Sequence, residues 1–198
     1  MYGKVGVQDL SSGSSGPLRI NAEGGLIVEI NGAKYAEDAR RGRLFSLCNQ
    51  AAVAITAALA TSYTGLVIMN PEGSGKNVEL LGMGYATTVA VPTATAIGLM
   101  SGTMTAVTST LTPKNRLIGG PASVCHGEDS CTIGTPVLDF AFATAWTEAT
   151  TAGTLGQPNW VDLDGNTILV PGSFAAVYST AANSAAFLCS FLWREVDE

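Results

Sequence analysis

The chain has 198 residues, of which 46% are hydrophobic and only 13% charged; ten Lys and Arg against sixteen Asp and Glu leave a formal charge of −6. That balance lacks the basic footprint of a nucleic-acid binder. A mean hydropathy of +0.28 excludes a chain disordered throughout, since disorder goes with low hydrophobicity. The length suits one all-β domain.

The charges are unevenly placed. Residues 44–71, 80–113 and 165–193 contain no Asp, Glu, Lys or Arg. Two readings fit: a Thr/Ser-rich β-protein with an uncharged surface, or strands whose faces are buried against other subunits, the favoured expectation because interface cores are depleted in charge. Met1–Asp9 has no apolar h-region of a secretory signal. No stretch supplies the roughly 20 predominantly apolar residues of a spanning helix, so no membrane is expected as a partner.

In chain order, Ser11-Ser12-Gly13-Ser14-Ser15-Gly16-Pro17 has linker composition. Residues 1–25 are read as an extended N-terminal arm that docks on a neighbour, and residues 26–198 as the folded body. Leu26–Ile30 is a β-branched run closed by Asn31-Gly32, a strand and turn signal. Residues 34–43 predict one short helix, with Gly42 as its C-terminal cap. Strands follow at Leu44–Cys48, Ala51–Thr56, Gly65–Met69, Asn77–Tyr85, Ala96–Met100 and Met104–Val107. The alanine-rich run 51–60 also has helical propensity, but its β-rich surroundings favour a strand.

Large side chains then recur at period two. Leu138, Phe140, Phe142 and Trp146 alternate with Asp139, Ala141, Ala143 and Ala145, and Phe187, Cys189, Phe191 and Trp193 with Leu188, Ser190 and Leu192. Each pattern predicts a strand with one face in a core. Asp164-Gly165-Asn166 reads as a hairpin turn between Trp160–Leu163 and Thr167–Val170. Pro171-Gly172 turns the chain into Phe174–Tyr178. Eight to ten such strands predict an antiparallel β-sandwich of jelly-roll type.

Few residues carry chemistry. Asn70–Asn77 approximates a phosphate-binding loop, yet Asn70 and Asn77 replace the required Gly and Ser/Thr, and a strand follows instead of a helix. A Gly-rich hairpin loop is the expected reading. Cys125, His126 and Cys131 are poorly spaced for joint metal ligation. Cys48 and Cys189 read as buried thiols; Cys125 and Cys131 could bridge a short loop in an oxidising setting but are expected to stay reduced in a cytoplasm. His126 is the only histidine, so any imidazole-based nucleophilic mechanism would need it; no nucleophile elbow accompanies it. Asp162-Leu163-Asp164-Gly165-Asn166 lacks the full calcium-loop pattern. No catalytic, cofactor-binding or metal residue is assigned, and no enzyme activity is expected.

The strings Tyr35-Ala36-Glu37, Gly42-Arg43-Leu44-Phe45, Asn49-Gln50-Ala51-Ala52-Val53-Ala54, Tyr63-Thr64-Gly65-Leu66, Asn70-Pro71, Gly75-Lys76-Asn77 and Ala96-Ile97-Gly98-Leu99-Met100-Ser101-Gly102, with the terminal Phe191-Leu192-Trp193-Arg194-Glu195, give the chain a family likeness. It resembles small structural proteins of tailed bacteriophages, those that decorate or cement the head. The resemblance implies a β-sandwich virion protein on the capsid surface, made in the host cytoplasm. It further implies a homotrimer that has the major capsid protein as its partner. An alternative is a trimeric jelly-roll tail or fibre protein that binds host-surface glycans, with Tyr63, Tyr85 and Trp160 as candidate aromatic contacts.

Overall fold

The computed structural model describes residues 33–88, 95–105, 108–145 and 159–198. The chain divides into two compact units, Met1–Ala36 and Glu37–Glu198, and the described strands belong to the second. The arm expected over residues 1–25, the strand expected at Leu26–Ile30 and the side chain of Trp146 lie outside the described residues.

The body opens with helix α1 (Ala36–Arg40), the only helix among the described residues. It is shorter than the span 34–43 because Gly42 ends it. Gly42 takes a φ of +69°, its N–H reaches the Ala39 carbonyl, and the Arg43 N–H reaches back to that of Asp38. This left-handed closure satisfies two carbonyls left over at the helix end. No described helix is long and apolar enough to cross a membrane.

Everything else regular is strand: β1 (Leu44–Cys48), β2 (Val53–Ile55), β3 (Ser62–Asn70), β4 (Lys76–Thr87), β5 (Thr95–Thr103), β6 (Lys114–Asn115), β7 (His126–Thr132), β8 (Val137–Ala145), β9 (Asn159–Leu169), β10 (Ser173–Ser179) and β11 (Asn183–Asp197). They form two antiparallel sheets. The first runs β6-β1-β11-β4-β9, with β2 also on β11, and the second runs β7-β3-β10-β5-β8. Leaving aside β2, β6 and β7, eight strands remain. Their order is first-eighth-third-sixth in one sheet and second-seventh-fourth-fifth in the other. That double Greek key is the jelly roll, so the all-β sandwich expected from strand spacing is the fold. β5 runs to Thr103. Met104, expected to open a further strand, instead follows it in a loop, with its N–H on the Gly172 carbonyl at 3.0 Å.

The core lies between the sheets. Phe45, Leu47, Met83, Phe187, Cys189, Phe191 and Trp193 come from the first sheet, and Leu66, Ile68, Leu99, Phe174 and Val177 from the second. Phe45 and Trp193, paired across β1 and β11, stack at 6.1 Å. Tyr63 folds over Gly65, where a Cβ would lie 2.2 Å from its Oη, and donates to the Val177 carbonyl. Burial in this one sandwich accounts for much of the charge-free sequence: six of the seven residues of β10 and seven of the last eight of β3, all but Thr64, are fully enclosed or nearly so.

Strand ends are held by buried amides. Asn49 follows β1; its Nδ2 donates to the carbonyls of Ala51 and Phe187 (2.5 and 3.0 Å), and its Oδ1 accepts the Cys189 N–H at 2.6 Å. Asn70 ends β3 and donates to the carbonyls of Lys76 and Leu169. An unsatisfied buried polar group costs about 1–3 kcal/mol. Asn49→Ala, which strands three backbone groups, is therefore expected to lower stability by about 2–4 kcal/mol in urea titration. The exposed neighbour change Gln50→Ala should leave the midpoint within error.

Candidate interaction surfaces

The residues singled out for chemistry do not converge. β7 carries His126 and Cys131 along an extended strand, with Cys125 just before it. Six residues of strand span about 20 Å, far beyond the reach of a disulfide, and all four cysteines are free thiols. Burial pushes the Cys189 thiol up to about 12, with Cys48 nearby adding to the shift. Burial and the Glu128 and Asp129 charges push Cys131 up to about 11. Cys125 is pushed up further, by burial and then by the Glu195 carboxylate. Among the described residues no group of three His, Cys, Asp or Glu side chains could hold a metal ion.

The Gly-rich segment after Asn70 is a loop, as expected, with Gly73 and Gly75 at φ of +72° and +65°. It is not a hairpin, because β3 and β4 belong to different sheets. It is a corner.

Asp164-Gly165-Asn166 also differs from its reading. Both flanking runs belong to one strand, β9, and both pair with β4: Thr167 lies opposite Leu80 and Asp162 opposite Gly82. The residues 163–166 bulge out opposite Leu81. Asp164 (φ +50°) and Gly165 (φ +77°) take successive left-handed conformations, those of a tight hairpin turn. The local turn is real, yet the chain resumes its original direction and buries Leu163.

Among the described residues three carboxylates are buried, and each has donors. Glu128 accepts from Thr110 Oγ1 and the N–H groups of Asp129 and Ser130. Glu195 accepts from Ser123 Oγ and the Val124 N–H. Asp38 bridges Arg43 and Arg194 at 2.7 and 3.2 Å, and Arg194 also donates to Glu79. These charges pin loops and α1 to the sheets.

Of the three candidate aromatics, Tyr63 and Tyr85 are core residues. Trp160 is 52% exposed. Its indole lies across β4, where Cβ atoms at Gly82 and Gly84 would come within 2.2 and 2.9 Å of its six-membered ring. One ring face is thus backed by bare backbone.

Two surfaces stand out. β8 and β9 are the terminal strands of their sheets. They share a flank: at the other side Gly127 of β7 abuts the Leu47 side chain of β1, placing those edges together. Of nine large apolar side chains exposed among the described residues, six fall at Val137, Leu138, Phe140, Trp160, Ile168 and Val170. The pattern at 138–142 predicts a face wholly in the core. Phe142 does pack there, but Phe140, stacked on it at 5.8 Å and paired with buried Leu99, is 45% exposed. An edge strand has a neighbour on one side only, so its inward residues overhang the rim.

The second surface is a turn after β6 that the motif reading passes over. Asn115 braces it, donating to the carbonyls of Gly42 and Pro121 and accepting the Leu117 N–H, each at 2.8 Å. The Gly120 N–H closes on the Leu117 carbonyl, and Gly119 takes a φ of +84°. At its tip Ile118 is 88% exposed, and Leu117, Lys114 and Arg116 are exposed around it. The signal was an apolar pair set between basic residues and Gly-Gly-Pro.

No protein-family model, curated protein or solved structure matches the chain.

Two outcomes follow. Gly82→Ala should displace the indole, giving a red-shifted tryptophan emission that the same change in a Trp160→Phe background lacks. Second, an unfolded thiol ionises near 9.0 but Cys189 in the fold only near about 12. Its stabilising effect is complete below pH 9 and declines as pH rises through that interval. The urea midpoint should therefore fall between pH 8 and about pH 10, less steeply in Cys189→Ala, and the buried Cys125 and Cys189 thiols of the native protein should resist a disulfide reagent at pH 8.

Proposed function

We propose that the chain is a structural protein of a virus particle, decorating and cementing the head of a tailed bacteriophage through contacts with the major capsid protein and with its own copies. The observation that carries this reading is the placement of large apolar side chains outside a completed core. A jelly roll with an enclosed interior still presents Val137, Leu138 and Phe140 on one flank and a braced Ile118 on the other. Contiguous exposed apolar groups mark association surfaces. The strings that give the phage likeness supply structural pins: Asn49, Asn70, Tyr63 and Glu195 each hold buried backbone or side-chain donors and acceptors. A lattice multiplies modest contacts of this kind, because each further attachment is intramolecular.

Trp160 favours a second reading, a tail or fibre protein that stacks host glycans on its indole, since an aromatic plane backed on one side leaves the other for a sugar ring. Labelled antibody against the chain, applied to intact particles, separates the two. Heads should be decorated evenly. Label confined to tails, with a glycan-array signal that Trp160→Ala abolishes, would overturn the head assignment in favour of the second reading.

A further inference from the structure

Lys and Arg are distributed one-sidedly. Among the described residues they lie at Lys34, Arg40, Arg41, Arg43, Lys76, Lys114, Arg116 and Arg194. None lies on β9 or on any strand of the second sheet, and residues 117–193 contain none at all. The exposed flank of β8 and β9 instead carries Asp139, Asp162 and Asp164 among its apolar side chains. The braced turn carries the reverse combination, Ile118 and Leu117 beside Lys114 and Arg116, with exposed Arg40 on α1 nearby through the Gly42–Asn115 bond. β6 and β9 are opposite ends of the first sheet. One molecule thus presents a basic, apolar knob at one edge and an acidic, apolar flank at the other.

We propose that these two surfaces bind one another between copies: the Leu117–Ile118 knob of one subunit seats against the β8–β9 flank of the next. Charge supports this occupant, because a basic rim meets an acidic one and neither patch suits itself. Size supports it as well. The flank's open apolar side chains amount to roughly 500 Å², close to the apolar share of a standard interface of about 800 Å² per partner. The knob is held by its own hydrogen bonds, so docking freezes little that was free. Because the two patches lie at opposite edges, one pair of copies cannot make both contacts at once, and the contact is heterologous. It generates a ring where the rotation closes and a filament where it does not, never a two-fold dimer. The contact concerns the isolated chain and does not depend on attachment to a head.

The test is sedimentation of the purified full chain in low and high salt. The wild type should assemble beyond two copies in low salt and loosen in high salt, where the rim charges are screened. Lys114→Glu with Arg116→Glu, or separately Asp139→Lys, should weaken association at least tenfold with unchanged circular dichroism and thermal midpoint. Mixing the two charge-reversed proteins should restore assembly, since each supplies the surface that fits the other. Ile118→Asp, at a site with nothing packed on it to disturb folding, should abolish assembly. A monomeric wild type at about 100 µM, a strict dimer, or variants that assemble as well as the parent would each overturn the proposal. So would capture of the wild type, lost in Ile118→Asp, by anionic phospholipid vesicles without self-association.

Discussion

A chain that crosses between two sheets at nearly every connection leaves backbone groups at its corners that no ladder can satisfy, and this fold depends on satisfying them. Among the eight jelly-roll strands only β5 to β8 stays within one sheet. Where strands end, side chains stand in for the ladder. Asn49 bonds across from β1 to β11, and Asn70 ties β3 to the start of β4 and the end of β9. Ser173 Oγ donates to the Val170 carbonyl where β9 turns into β10. Each is a short polar side chain in an apolar setting, where a satisfied group contributes modestly but a stranded one is costly. The corners therefore fix which strands are neighbours, and the apolar residues then fill the space between.

Charge follows the same division. Where the sandwich closes on itself, on β3, β5 and β10, the chain has no charged residue. Where a loop or helix must be fastened to the outside, a carboxylate does it. Glu195 holds the segment at Ser123 and Val124, Glu128 holds Thr110, and Asp38 with Glu79 clamps Arg43 and Arg194. The net charge of −6 is thus not spread evenly. Basic side chains gather on α1, just before β1, on and after β6, and on β4 and β11, and the β8–β9 side retains only acids.

Periodicity made the sandwich legible, because alternation at 187–193 and the turn residues between short apolar runs are properties of the chain itself. β1 has the boundaries the sequence predicts, and the alanine-rich run 51–60 does supply a strand, β2. What alternation cannot convey is position within a sheet. The strands at 138–142 and 187–193 read alike, yet β11 is central and encloses Phe191 and Trp193 completely, whereas β8 is terminal and leaves Phe140 at the rim. The Asp164-Gly165 signal likewise reports two left-handed residues correctly. Whether such a pair reverses a chain or inserts a bulge depends on which strand pairs on either side, information that lies on β4. The knob escaped a reading guided by catalytic spacing, because an exposed Ile on a braced turn has no chemistry of its own.

The edges of the two sheets are guarded unequally. Open strand edges invite pairing with other chains, and folds blunt them with brevity, charge or cover. On one side the fold does this: β6 is two residues long, and β7 shows a polar run, His126-Gly127-Glu128-Asp129-Ser130. On the other side β8 is nine residues long, with a single charge and exposed Val137 and Phe140, and β9 adds Trp160 and Ile168. Lysine, the commonest guard of an edge, is absent there although the chain places it beside the knob. An edge protected throughout would serve a solitary molecule. Guarding only one of two edges, and furnishing the guarded side with a rigid apolar tip, is the arrangement that a one-directional contact between copies requires.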